Sequence, residues 1–327
     1  MNYILDFSNL FIIGYSADPT QNNNGEHIGG ITGFLKILQK LIREYPPSDI
    51  FIVYDGKGGS RKRKEMNSNY KEGRSVPKPL RLNRTFSYDS PDQENESRRQ
   101  QQAVLICILN SLPVHQIILS GVEADDIISY LAQDFDKKNE KSLIISNDKD
   151  FLQLLNENIS VYRPAKKCII TREDVIKEYN INPVNFVIAR AIEGDNSDNL
   201  EGISGIGLKG LANKFPELKE DKWISIDEFV ELAEKKQEER KEEKKKEYKM
   251  YSSIVENKKT IEDNYKIMQL YSPLIDFNNK QLLEQDLATK VKLDMSAFYK
   301  SLTENGIFGQ SFRELVTHFI RMEMNRK

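Results

Sequence analysis

Three short apolar runs, each followed within three residues by an aspartate, constrain this chain more than any other feature. Tyr3-Ile4-Leu5 ends at Asp6, Ile50-Phe51-Ile52-Val53 leads to Asp55, and Leu143-Ile144-Ile145 leads to Asp148 and Asp150. Apolar runs that short, bounded by polar turn residues, read as buried strands. Between the first two, Gly29 to Tyr45 carries Ile31, Phe34, Leu35, Leu38 and Leu41 at a helical period, and Pro46-Pro47 stops it. A right-handed strand–helix–strand crossover makes the strands parallel, which puts Asp6 and Asp55 at one edge of the sheet. In open α/β sheets that edge, past the carboxyl ends of the strands, is where ligands bind.

A second acidic knot, Glu123, Asp125 and Asp126, begins the helical stretch DDIISYLAQDF just before the third run. Acids there serve as caps and dipole partners; from a helix start they can also point into the same crevice. Like charges about 4 Å apart repel by about 4 kcal/mol at an effective dielectric of 20. A crowd of carboxylates is therefore tolerable only if cations neutralise it or the groups take up protons. All-oxygen ligation favours hard cations, Mg²⁺ or Mn²⁺.

The 327 residues allow one large or two smaller domains, and a hydrophobic fraction of 39% supports a real core. A net charge of −2 gives no global field, so nucleic-acid binding would need local segregation of charge. That segregation is present. Arg61 to Arg84 holds nine Lys/Arg (Arg61, Lys62, Arg63, Lys64, Lys71, Arg74, Lys78, Arg81, Arg84) against Glu65 and Glu72, with Tyr70 and Phe86 interleaved. Such a stretch suits backbone phosphates and stacked bases; the same composition also suits a solvated loop. Its place directly after Asp55 favours a segment leaning over the site.

Cys107 and Cys168 form no CxxC, so neither a disulfide framework nor a zinc signature is expected, which fits a reducing cytosol. The N-terminus, MNYILDFSNLFIIGYS, lacks a basic leader and carries Asp6 in its middle. It is expected to be a first strand, not a signal peptide, and is too short for a membrane span. A cytoplasmic protein without a membrane partner follows as an expectation.

Further along, a helix is expected over Gln93 to Leu112, with Ala103, Leu105, Ile106 and Leu109 on its buried side. After it come a strand over Val114 to Leu119, a helix over 123–136 and a strand over 142–146. Ile159 to Arg163 and Cys168 to Ile170 read as a β pair, and Thr171 caps a helix through Tyr179. Residues 182 to 215 read as a helix, a loop with Asp195 and Asp198, the glycines Gly202, Gly205 and Gly207, and a second helix. Backbone N–H groups at that second helix would offer an anion site, with Lys209 beside it as a point charge. Glu231 to Met250 reads as a mixed-charge, solvated helix, and 251–327 as further helices. His27, His115 and His318 lie outside these motifs.

The order of motifs resembles the 5′ nucleases of the flap endonuclease family. It runs from a strand ending in Asp, through YDG and a basic segment with Arg63, Tyr70, Lys71 and Arg74, to VEADD, SNDKDF and GDNSDNLEGISGIGLK. Phage ribonuclease H/exonuclease proteins and the 5′-nuclease domain of bacterial DNA polymerase I are the types it is most similar to. The likeness covers about residues 1 to 215.

It implies an α/β, PIN-like core over 1–180 with a mainly parallel sheet and a basic helical arch at about 56–92. It also implies a helix–three-turn–helix duplex-binding subdomain over 181–218 and leaves 219–327 as a helical region of open role. Residue by residue, Asp6, Asp55, Glu123 and Asp125 resemble the ligands of a first metal, with Asp126 as an additional acid. Asp148, Asp150, Asp195 and Asp198 resemble a second-metal group. Arg63, Lys71 and Arg74 match basic arch positions, where Lys71 and Arg74 would polarise the scissile phosphate and Tyr70 would stack on a base. Gly202, Gly205 and Gly207 match the duplex-binding loop, where family members often hold K⁺. Departures from the family pattern are Leu200-Glu201 before Gly202 and Gly210-Leu211 after Lys209.

The implied activity is two-metal hydrolysis of phosphodiesters near a 5′ end, as 5′-3′ exonuclease, flap endonuclease and primer-removing ribonuclease H. The implied partner is duplex DNA with a flap, nick or RNA primer, together with a single-strand binding protein or sliding clamp, and the expected state is a monomer. If the chain is phage-encoded, the host cytoplasm is its place. Two rival classes are a non-catalytic junction binder, whose signature would be missing acids, and a PIN-type ribonuclease, which would lack the GIG element.

Overall fold

The computed structural model describes residues 1–72, 88–243, 248–308 and 312–325. Its strands are β1 (Asn2–Asp6), β2 (Ile50–Tyr54), β3 (His115–Ile118), β4 (Ser142–Ile145), β5 (Ile159–Arg163) and β6 (Cys168–Ile170). They form one sheet in the order β3-β2-β1-β4-β5-β6, parallel except for the last pair. The chain winds outward from β1 to β2 and β3, then returns to place β4 on the other side of β1. The strand order therefore reverses at β1, where a crevice opens beyond the carboxyl ends. Asp6 closes β1, Asp55 follows β2, and Asp148 follows β4, so the aspartates after the three apolar runs meet at that reversal.

Side chains alternate across the sheet, as the two-residue period of a strand requires. Tyr3, Leu5, Ile50, Ile52, Leu143 and Ile145 enter one core; Ile4, Phe51, Val53, Ile144 and Val161 enter the other. The first core is covered by helices α1 (Phe7–Ala17), α2 (Gly29–Glu44) and, after the short α3 (Arg61–Met66), by α4 (Pro91–Leu109). The second is covered by α5 (Ala124–Lys137), α6 (Arg172–Tyr179), α7 (Phe186–Glu193) and α8 (Leu208–Lys214). α9 (Ile226–Glu242), α10 (Lys249–Glu256), α11 (Lys258–Met268) and α12 (Phe277–Ala288) continue that layer. Finally α13 (Met295–Glu304) and α14 (Arg313–Asn325) return to the first face, where Phe298, Leu302, Leu315 and Phe319 are buried. No helix among the described residues is long and apolar enough to cross a membrane.

Two expectations are corrected here. Phe7–Ala17 is a helix and not a continuation of the first strand. Its buried residues Phe7, Leu10, Phe11, Gly14 and Tyr15 follow the helical period, but the apolar strand running straight into them hid the boundary. On α4, Ala103 and Ile106 are exposed; the buried side is Gln101, Leu105, Ile108 and Leu109. The polar Gln101 lies inside because it donates to His27 O and accepts from Gly30 N.

The C-terminal third is no appendage. Residues 264–274 thread between α3, α5 and α7 and satisfy polar groups of all three. Asn264 Nδ2 donates to Ala191 O and Glu201 O, at 2.9 and 2.8 Å. Gln153 is bonded to Met268 O and Leu270 N. Lys62 Nζ donates to Leu274 O, and Leu274 N donates to Asp126. This strap fastens the foot of the basic segment to the core.

Candidate active site

Each acid is positioned by an element end. Asp6 is the N-cap of α1: its Oδ1 accepts from Asn9 N at 3.0 Å, and its Oδ2 from Ser146 Oγ at 3.0 Å. Ser146 Oγ in turn accepts from Asp148 N at 3.1 Å, and Asp148 Oδ1 accepts from Asp150 N at 2.8 Å. Asp55 reaches across to cap α5, accepting from Ala124 N at 2.9 Å. The turn that carries it passes so close to the loop before α5 that a Cβ on Gly56 would sit 1.7 Å from Leu119 O, so only glycine fits there. Asp125 lies in the first turn of α5. Asp6, Asp55, Asp125 and Asp148 thus come from the ends of three neighbouring strands and one helix; Asp6 feels the charges of Asp55 and Asp148, and Asp125 those of Asp148, Asp6 and Asp55.

That crowding has a titration signature. Burial, and then the charges of Asp55 and Asp148, push Asp6 up to about 7. Burial and Asp148 hold Asp125 well above the usual carboxylate range. Asp150 is raised to about 7 by burial and Asp148, against the pull of Arg190. Buried acids that must stay protonated or be neutralised are the proper donor set for a hard divalent cation. Among the described residues no three acids, histidines or cysteines are drawn together into a finished ligand cage. Uncompensated like charges hold apart, so the donor set fits a cation in kind without being closed around one.

The remaining acids are held by cations of the chain itself. Arg63 NH1 lies 2.6 Å from both Glu123 Oε2 and Asp126 Oδ2; its NH2 reaches Asp126 Oδ1 at 3.2 Å, and its Nε reaches Ile267 O at 2.9 Å. Lys71 Nζ takes the other oxygen of Glu123 at 2.5 Å. Although burial opposes it, Arg63 and Lys71 hold the Glu123 carboxyl below its ordinary range. Both oxygens of Asp126 are committed to Arg63 and Leu274 N, which makes it a structural anchor.

On the far side of the crevice Arg190 bridges Asp150 at 3.0 Å, Glu193 at 2.7 Å and Asp195 at 2.6 Å. Asp195 stays low because Ser197 and Arg190 outweigh its burial. A cleft of about 540 Å³, lined by Asn9, Asp148, Arg190, Asp195 and Ser197 among others, lies between these groups.

Several expected DNA contacts are corrected. The Arg63 side chain is only 3% exposed and fully engaged, so it cannot reach a phosphate. Tyr70, expected to stack on a base, is also 3% exposed; it packs with Val187, Leu200, Ile267 and Met268 and donates to Glu123. The strap and the helical hairpin enclose both residues, and the sequence gave no sign of that enclosure. Lys71 does face the site: although burial opposes it, Asp125 and Glu123 raise its ammonium above the ordinary lysine range. Arg74 lies outside the described residues, as do Lys78, Arg81, Arg84 and Phe86.

The expected two-helix hairpin is present as α7, the 194–207 loop and α8. Asp195 and Leu200 form an isolated antiparallel bridge, which ties Asp198 into a tight turn. Asp198 O accepts from Lys71 N, and Asn199 Nδ2 donates to Asn69 O, so the foot of the basic segment docks on this turn. Gly202 crosses the end of α7 with no room for a side chain; its Cβ would lie 2.0 Å from Glu193 O. Gly205 needs its φ of +79°, and Gly207 is the N-cap of α8. The expected open anion site is corrected in part: Glu193 Oε1 already accepts from Leu208 N at 3.3 Å. Lys209 is in the first turn of α8. The residue that sequence reasoning missed is Arg190; its signal was an arginine three residues before Glu193 and five before Asp195.

A family model for the 5′-3′ exonuclease, N-terminal resolvase-like domain matches residues 1–180. A 5′-3′ exonuclease of Aquifex aeolicus (strain VF5) is 31% identical over 304 residues, covering 92% of this chain and 91% of that protein. Among solved structures, bacteriophage T5 5′-exonuclease with divalent metal ions (zinc) superposes with a TM-score of 0.67 at 18% identity, over 88% of this chain and 98% of that one. A T5 flap endonuclease variant, in a pseudo-enzyme–product complex with DNA and metal ions, gives 0.64 at 18% identity, covering 93% and 98%. At that identity the T5 structures speak for the fold, and their metals and DNA are theirs. With the sequence likeness over nearly the whole chain, the protein belongs to the 5′-3′ exonuclease family of phosphodiester-cleaving nucleases.

Proposed function

We propose that this chain is a structure-specific 5′ nuclease that cleaves a phosphodiester near a 5′ end at a duplex junction, with divalent metal ions held at the β1/β4 crevice. The observation that carries the reading is the set of four acids, Asp6, Asp55, Asp125 and Asp148, around the strand-order reversal, none of them in an ion pair with lysine or arginine among the described residues. Two ions, Mg²⁺ or Mn²⁺, would be held by these acids and by Asp150, with Glu123, Asp195 and Asp198 at the margins. When bound, they supply Lewis acidity and a water of lowered pKa. The chain's own part is positional. Lys71 stands beside Asp125 and Glu123, where its ammonium can meet a phosphate oxygen and offset charge in the transition state. Arg74 would act alongside it.

The 194–207 loop, with Gly202, Gly205, Gly207 and Lys209, would grip the duplex backbone and could seat K⁺. The sequence retains all nine acids of the motif set, which disfavours a junction binder without catalysis. Product mapping tests the reading, with a labelled set of nicked, 5′-flapped and RNA-primed duplexes in the presence and absence of Mg²⁺. The expected result is Mg²⁺-dependent release from the 5′ end, with the flapped or primed duplex cut faster than single-stranded RNA. Equal cutting of single-stranded RNA, or no product with any metal, would remove it.

A further inference from the structure

We infer that Arg190 is the resident cation of the second acid group, and that a divalent ion settles there only by displacing its guanidinium. This residue would thereby set the order in which two ions load. The inference deepens the metal-dependent reading above and rests on it.

Four contacts hold the guanidinium, which is 6% exposed. Nε meets Asp150 at 3.0 Å, NH2 meets Asp195 Oδ2 at 2.6 Å, and NH1 meets Glu193 Oε2 at 2.7 Å and Gly194 O at 3.1 Å. The other oxygen of Asp195 accepts from Ser197 N and Oγ, so neither oxygen of that carboxylate is without a donor. An ion held by both carboxylates would compete with Arg190 for Asp195 Oδ2 and would sit beside the guanidinium that holds Asp150 Oδ1. A guanidinium at hydrogen-bond distance also repels an incoming divalent charge.

The contrast with the first group is direct. Among the described residues, Asp6, Asp55, Asp125 and Asp148 make no ion pair with lysine or arginine; the nearby cations Arg63, Lys71 and Arg190 hold Glu123, Asp126, Asp150 and Asp195 instead. One ion therefore meets acids to which no lysine or arginine of the described residues is bonded, and the next meets acids that Arg190 already holds. The latch also spans two elements. Three of its four partners, Glu193, Gly194 and Asp195, belong to the hairpin that carries α8, and one, Asp150, belongs to the sheet side. Glu193 continues the chain of bonds to Leu208 N at the start of α8. A shift of the hairpin against the core thus pulls the guanidinium from Asp150, which is the group a second ion would take. Arg190 is on this reading a positioning residue.

The test is a Mn²⁺ titration of the full chain without nucleic acid, read by calorimetry and by the paramagnetic signal of free Mn²⁺. The wild type should hold one ion tightly and a second more weakly. Arg190→Met should tighten the second ion by at least about tenfold, while Arg190→Lys, which keeps the charge, should stay near the wild type. A merely structural role predicts the opposite sign, because a disordered site binds metal less well. Unchanged or weakened second-ion affinity in Arg190→Met overturns the inference and leaves the metal-site reading standing. A wild type that binds no Mn²⁺ overturns both.

Should Arg190→Met fail to fold, the wild type itself answers in a Mg²⁺ titration followed by the Arg190 Nε–H resonance, assigned by its loss in Arg190→Lys. Displacement requires that signal to hold through the first equivalent and move over the second. A signal unmoved at saturation overturns it.

Discussion

At the scale of single residues, the site is a balance between acids bonded to a cation of the chain and acids that are not. Glu123, Asp126 and Asp195 are bound to Arg63, Lys71 or Arg190; Asp6 and Asp125 are not. The balance fixes a pH dependence. Asp6 and Asp150 titrate near 7 in the fold and near about 4 in the unfolded chain. Between those values the unfolded chain has released protons that the fold still holds, so metal-free stability falls as pH rises from about 4 to 7. Asp125, also raised, adds to that fall. Glu123 and Asp195, held low, act the other way: their stabilisation is present above the ordinary carboxylate range and is lost as pH falls through it. Divalent ions held by these acids would replace the retained protons. Mg²⁺ should therefore raise the Tm by several degrees at pH 8 and by little at pH 5, measured by thermal denaturation at matched ionic strength. An equal shift at both pH values would contradict the account.

At the scale of elements, the arch foot α3, helix α5 and the strap 264–274 act as one unit through Arg63. Its removal leaves Asp126 buried with only Leu274 N as donor and no cation, and Glu123 with Tyr70 and Lys71. Breaking a buried pair in this way costs about 3–5 kcal/mol, so Arg63→Met should lower urea-unfolding stability by that order. A loss below about 1 kcal/mol would show that the guanidinium is a surface contact after all. Sequence reasoning placed Arg63 in the right segment and gave it the wrong partner. A basic run next to aromatics looks the same whether it faces phosphate or a buried acid. What distinguishes the two is the strap, some two hundred residues away, which no local pattern announces. The same limit hid Arg190 and the burial of Tyr70. Helix α1 failed for a different reason: its period was present at Phe7, Leu10, Phe11, Gly14 and Tyr15, and only its junction with an equally apolar strand concealed it.

At the scale of the whole molecule, the strand order β3-β2-β1-β4 brings Asp6, Asp55 and Asp148 to one reversal point, and α5 adds Asp125. This much was legible, because parallel strands joined by helices must present their ends on one side. The two-helix hairpin followed from its glycines and flanking apolar runs, whereas the register of the strand pairs and the division of their side chains between two cores were seen only in the fold. The central claim is that these acids converge to hold the ions that cut the phosphodiester. Asp148→Asn tests it most directly, assayed beside the wild type for Mg²⁺-dependent cleavage of a 5′-flapped duplex and, with Ca²⁺ in place of Mg²⁺, for junction binding. The expected result is a fall in cleavage rate of at least about a hundredfold with junction affinity kept within a few-fold of wild type. Cleavage by Asp148→Asn at the wild-type rate, or by the wild type after complete chelation, would contradict it.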